Sequence, residues 1–180
     1  MRRIRPLFAV LLLLSLPKLT DPQTLDHNQI LEVILKTYDV TRIETLVYLR
    51  VFSDGSAAAH PMREVDFRTL ALKQAQIPPS DLAKLREALN PQNTKRLEPK
   101  YAQYWGNKDS GSEWQVTIGE GESKKLIILD NFQPFWARAK KKPYPAEIER
   151  LGCTIWKLRT EVTGEPLEKY YIRGCEDLGY

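Results

Sequence analysis

Cys153 and Cys175 are the only two cysteines of this 180-residue chain, 22 residues apart. No motif or nearby histidine marks either as a nucleophile, and a pair of this kind in an exported chain reads as a structural disulfide. The two histidines, His27 and His60, sit outside H-E-x-x-H or any other ligand spacing, so the sequence points to no metal and no cofactor. Both read as ordinary solvent-facing residues. Neither a G-x-S-x-G elbow nor an S-x-x-K motif is present. GEGES, residues 119 to 123, has the glycines of a phosphate loop, but it falls between two strands and lacks the helix whose N-terminus would hold phosphate. It reads as a turn.

Carboxylate pairs that cleave glycosides carry little sequence signature, because what matters is their separation in the fold. Glu113, beside Trp114, and Asp130, at the end of the next strand, are the two worth inspecting for such chemistry. A second feature is aromatic. Tyr101, Tyr104 and Trp105 fall in a polar stretch from about Pro91 to Gly111, and Phe132, Phe135, Trp136 and Tyr144 flank the run from Arg138 to Lys142. Large aromatics outside regular elements either anchor loops to the core or form an exposed platform. Anchoring is the commoner arrangement in long loops. On the other reading, Tyr101, Tyr104, Trp105, Phe135 and Trp136 stack on a sugar or fill a partner's pocket, with Lys140, Lys141 and Lys142 rimming the site.

The start of the chain defines where such a site would work. Arg2, Arg3 and Arg5 precede the apolar run LFAVLLLLSL, which ends at Pro17. This is the layout of an export signal, and ten apolar residues are too few to span a bilayer, which takes about 20. The expected location is therefore the periplasm or the exterior. The stretch SLPKLTDPQ lacks small residues at a peptidase site, which leaves retention through an uncleaved segment open; this is the one membrane contact expected. The chain holds 27 basic and 23 acidic residues; removing residues 1–22 leaves 23 basic against 22 acidic. A near-neutral domain gives no electrostatic footprint for nucleic acid.

The elements that must position these groups are mostly strands. Residues 43–52, IETLVYLRVF, form a strand followed by Asp54-Gly55, a hairpin signal. Val47, Leu49 and Val51 make an all-aliphatic face and are expected to point to the core. ILEVILKT (30–37) fits a strand or a buried helical piece, and its β-branched residues favour the strand. Further strands are expected over about 66–74, 114–118 and 126–129. Ser80 is the expected N-cap of a short helix with Leu82, Leu85 and Leu89 on one face. Ile148, Leu151, Ile155, Leu158 and Val162 form the stripe of a long helix between Pro145 and Gly164. Cys153 lies nearly opposite that stripe, and Trp156 lies well off it. The tail carrying Tyr170, Tyr171 and Ile172 is expected to cover that outer side, pinned by Cys175. These elements predict a single α+β domain over 23–180, following an export segment over 1–22. Its sheet is expected to be mainly antiparallel, of five to six strands, with two helices packed on one face.

YLRVFSDG (48–55), LGCTIWKLR (151–159), SEWQVTI (112–118) and Tyr144-Pro145 resemble an exported bacterial family of unknown function. The resemblance implies an exported single domain and brings no catalytic residue. The expected function is a non-catalytic interaction module that binds a protein or glycan of the cell envelope. The alternatives are a carboxylate-dependent polysaccharide hydrolase and a carrier of a small apolar ligand.

Overall fold

A computed structural model describes residues 28–62, 71–102, 111–132, 144–166 and 174–176. They form a mixed α+β fold around one seven-stranded sheet: β1 (Gln29–Tyr38), β2 (Ile43–Phe52), β3 (Ser56–Ala59), β4 (Lys73–Gln76), β5 (Lys100–Ala102), β6 (Gly111–Ile118) and β7 (Lys125–Asp130). Strand order is β4-β3-β2-β1-β6-β7-β5. Every pairing is antiparallel except β5 with β7. The helices are α1 (Pro79–Ala88), α2 (Pro91–Thr94) and α3 (Ala146–Thr163), with a 3₁₀ turn at Gly121–Ser123 inside GEGES and a helical turn at 174–176.

Seven strands, where the sequence predicts five or six, arise from β5. It lies inside the stretch read as a polar loop, as does α2. Three residues with no hydrophobic alternation carry no strand signal of their own; β5 exists because β7 offers it an edge, with Lys100 opposite Ile128 and Ala102 opposite Asp130. Of the strand expected over 66–74, residues 66–70 lie outside the described residues, and 73–74 belong to β4, which continues to Gln76. Ile30 to Thr37 is a strand, and Asp54-Gly55 turns the next hairpin: the Asp54 carboxylate accepts from Ser56 N and Oγ, and Gly55 has φ +85°.

The expected core face of β2 requires correction. Val33 pairs with Leu49 but Ile34 pairs with Val47, so Tyr48 is the extra residue of a β-bulge. The bulge offsets the alternation, placing Leu46 and Tyr48 with Leu49 and Val51 on the covered face and Val47 on the other. That covered face receives α3, which packs across β2, β3 and β4; α1 in turn packs against α3. Leu85 is fully buried, and Leu82 and Leu89 pack against the core. The N-cap of α1 is Pro78, not Ser80, because Pro79 supplies the first helical residue with φ already set. Asn90 caps α2 instead, accepting from Gln92 N at 2.9 Å.

All five stripe residues of α3 are buried, and so are Cys153, Trp156, Glu149, Thr154 and Arg159, so this helix is enclosed on most sides. Gly164 closes it in the left-handed region at φ +71°, and Lys73 of β4 donates to Thr163 O at 2.9 Å. Lys73 thus supplies a cation at the last turn of the helix. The guanidinium of Arg159 turns to His60 O and the Glu165 carboxylate and stacks 4.7 Å over the Tyr48 ring.

Cys153 and Cys175 are joined, with Cα atoms 5.6 Å apart, and Cys175 packs against the core. The expected disulfide is present. Tyr170, Tyr171 and Ile172 lie outside the described residues, as do His27 and the export segment. No helix among the described residues is long and apolar enough to cross a membrane.

Candidate recognition face of the sheet

Register assigns every strand residue to one face or the other. The face away from α3 carries three rows. One runs Thr45, Lys36, Glu113, Asp130, Ala102; the next Val47, Ile34, Gln115, Ile128, Lys100; the third Gln74, Ala58, Arg50, Glu32, Thr117, Leu126. Most of these side chains are exposed or half-buried, as expected of an antiparallel sheet with one wet face.

The two carboxylates singled out from the sequence come together here. Glu113 and Asp130 are direct cross-strand partners on β6 and β7, a placement that sets their Cβ atoms about 5 Å apart. Each is matched to a lysine from the next strand outward. Glu113 lies 3.8 Å from Lys36 Nζ and accepts from Gln115 Nε2 at 2.8 Å, and Asp130 lies 2.8 Å from Lys100 Nζ. Glu32 is held the same way, accepting from Arg50 Nε at 2.9 Å and from Arg50 Nη2. At the β2–β4 corner the small side chains of β3 leave an open groove of about 420 Å³, lined by Arg50, Phe52, Ser56, Leu72, Gln74 and Gln76.

The aromatic residues divide by location. Phe132 and Tyr144 are buried members of a ring stack in which Trp114 meets Tyr48 at 4.6 Å, Phe132 at 5.0 Å and Trp156 at 6.0 Å. Phe132 meets Tyr144 at 5.1 Å. These rings fill the space between sheet and α3, and Gly152 lets Phe132 approach the helix backbone, since a Cβ there would sit 2.7 Å from the ring. Tyr101 is half-buried, its ring edge-on to Tyr144 at 6.1 Å and its hydroxyl accepting from Glu98 N. Tyr104, Trp105, Phe135, Trp136, Lys140, Lys141 and Lys142 lie outside the described residues. The segments that hold them leave from Ala102 and Phe132, at the end of the sheet that also carries Glu113 and Asp130.

His60 is half-buried and not simply solvent-facing. Its ring Nδ1 lies 3.1 Å from Val47 N, and its own amide donates to Val47 O at 2.9 Å. It therefore ends the β2–β3 ladder. The helical layer holds a second charged cluster that the sequence reading missed. Asp81 of α1 accepts from Lys157 of α3 at 2.6 Å, with Glu161 3.9 Å from the same lysine. The lysine's hydrogen bond holds the Asp81 carboxyl below its ordinary range, while burial and then the Asp81 charge push Glu161 up. The groups are 76 residues apart in sequence, so no local spacing exposes them. No group of three or more histidine, cysteine or acidic side chains arranged to hold a metal occurs among the described residues. Neither a protein-family model nor a curated protein matches this chain in sequence.

Proposed function

We propose that this protein is an exported, non-catalytic recognition module that contacts its partner through the open face of the sheet. The observation that carries this reading is the treatment of charge on that face. Glu32, Glu113 and Asp130 are each matched to a basic side chain of a neighbouring strand. Such pre-paired groups offer a fixed pattern of donors and acceptors at little ordering cost. In this reading Tyr101, Tyr104, Trp105, Phe135 and Trp136, with Lys140, Lys141 and Lys142, extend the surface beyond the sheet end. The partner is a protein or glycan of the cell envelope. The Cys153–Cys175 bond supports export, since such bonds persist in oxidising compartments.

Capture from envelope extract and from immobilised polysaccharides tests this, comparing the native chain with Trp105→Ala/Trp136→Ala and with Lys36→Glu/Lys100→Glu. Loss of the same captured species in both folded variants is the expected result. Equal capture by all three proteins would remove the open face from consideration. The cross-strand placement of Glu113 and Asp130 favours one second reading, glycoside hydrolysis. Polysaccharide cleavage that disappears in Glu113→Gln or Asp130→Asn would establish it in place of the first.

A further inference from the structure

Five large hydrophobic side chains are exposed among the described residues, and four of them surround one feature: Tyr38, Val40 at 80%, Ile43 at 76%, and Met62. That feature is the N-terminal half of β2. On one side β2 pairs with β1 along its length, but on the other β3 pairs only with Arg50 and Val51. His60 then takes both Val47 backbone groups and stops the ladder. Asp39 N donates to Arg42 O, and backbone direction alternates along an antiparallel strand, so Ile43 and Thr45, like Val47, aim their N–H and C=O groups away from β1. Those four groups face outward along Ile43–Leu46 with no strand beside them among the described residues. No lysine, proline or bulge guards this part of the edge. The other two edges, β4 and β5, are four and three residues long, and β4 carries Lys73.

We infer that this edge pairs with the same edge of a second copy, antiparallel, with Ile43 opposite Ile43 on the two-fold axis. Charge chooses both occupant and register. Arg42 Nη1 donates to the Glu44 carboxylate of the same strand at 3.0 Å, and an antiparallel strand extends that pair when it sets an acidic residue opposite Arg42, an apolar one opposite Ile43 and a basic one opposite Glu44; the edge itself reads Arg42-Ile43-Glu44. Shifting the pairing by two residues on one strand, in either direction, keeps the outward-facing groups opposite one another but would set Glu44 against Glu44 or Arg42 against Arg42, which cross-strand pairs disfavour. In the favoured register Thr41 stands opposite Thr45 of the second copy, and beyond it the chain turns back to β1. The hairpin tip therefore abuts the place where the second copy's β3 ends, bringing Val40 towards its Met62. The axis is normal to the sheet, so both open faces come to lie on the same side. This gives the recognition face proposed above two copies acting together, and bivalent engagement strengthens weak single contacts.

Sedimentation velocity of the full, disulfide-bonded chain from about 10 μM to about 1 mM tests the pairing, a range chosen because a short edge implies modest affinity. The expected result is a concentration-dependent rise towards the dimer. Arg42→Glu and Glu44→Arg should each weaken it about tenfold or more, and Arg42→Glu/Glu44→Arg together should restore it. Circular dichroism establishes that each variant is folded. A single monomeric species throughout the range, or a dimer indifferent to either single reversal, would overturn the inference. Pairing lost in the double reversal as well would also overturn it, since the complementary charges would then be present without effect.

Discussion

Trp114 and Gln115 are neighbours on one strand, yet they belong to two different materials. Trp114 faces α3, packed ring against ring with Tyr48, Phe132 and Trp156; Gln115 faces outward among charges paired across strands. One side of the sheet draws its stability from close packing, which punishes any change of volume. The other is held by groups whose exchange with water leaves little net energy, so its residues are free to be chosen for what they touch. The contrast is the physical reason for assigning recognition to the open face.

The sharpest way to break that contrast is to truncate both neighbours. Trp114→Ala should cost about 3–5 kcal/mol, because Tyr48, Phe132 and Trp156 all lose a ring neighbour and the cavity cannot close. Gln115→Ala should stay within about 0.5 kcal/mol. Urea unfolding followed by ellipticity measures both; similar losses would mean that the open face is also a packed layer.

Next in size is Cys153→Ser/Cys175→Ser. The bond closes a 22-residue separation across the outer side of α3, and its loss should cost about 2–4 kcal/mol. Capture by the open face should survive wherever the variant remains folded, which separates the scaffold from the surface. A smaller effect is expected for Gly152→Ala. Alanine favours a helix by about 1 kcal/mol over glycine. Here, however, the new methyl would meet Phe132 at 2.7 Å, and displacing a buried ring costs about 1–3 kcal/mol. The balance falls towards destabilisation, and Phe132→Leu added to Gly152→Ala should recover part of it.

The sequence displayed this division unevenly. The helix stripe from Ile148 to Val162 was legible because its period is set by its own residues, and the Cys153–Cys175 pairing followed from where that period puts Cys153. The core face of β2 was not legible, since the bulge at Tyr48 reverses the alternation and depends on how β1 pairs with it. β5 is likewise made by its neighbour. The candidate site shows the same limit. Glu113 and Asp130 could be named from their places on successive strands, but their direct opposition is a matter of register, and Lys36 and Lys100 arrive from strands that are distant in the chain.

The smallest expected effect tests whether charge in the helical layer behaves differently from charge on the open face. Asp81 holds Lys157 and has its carboxyl lowered, so it adds stability above its ordinary value of 3.8, and that contribution fades as pH falls through the folded-state value. Glu161 runs the other way. Its folded-state value is raised above 4.5 by burial and by Asp81, so its contribution is present below 4.5 and is lost as pH rises through the folded-state value. At neutral pH the ionised Glu161 is thus a small net cost. Glu161→Gln should raise the thermal midpoint slightly at about pH 7 and lose that advantage below about pH 4. Asp81→Asn should lower the midpoint at neutral pH and converge with the native protein in acid. A scan of midpoint against pH for both variants decides the matter. If Glu161→Gln were less stable than the native chain at neutral pH, its bond to the Lys157 ammonium would outweigh the repulsion from Asp81, and the helical layer would then pair its charges as the open face does.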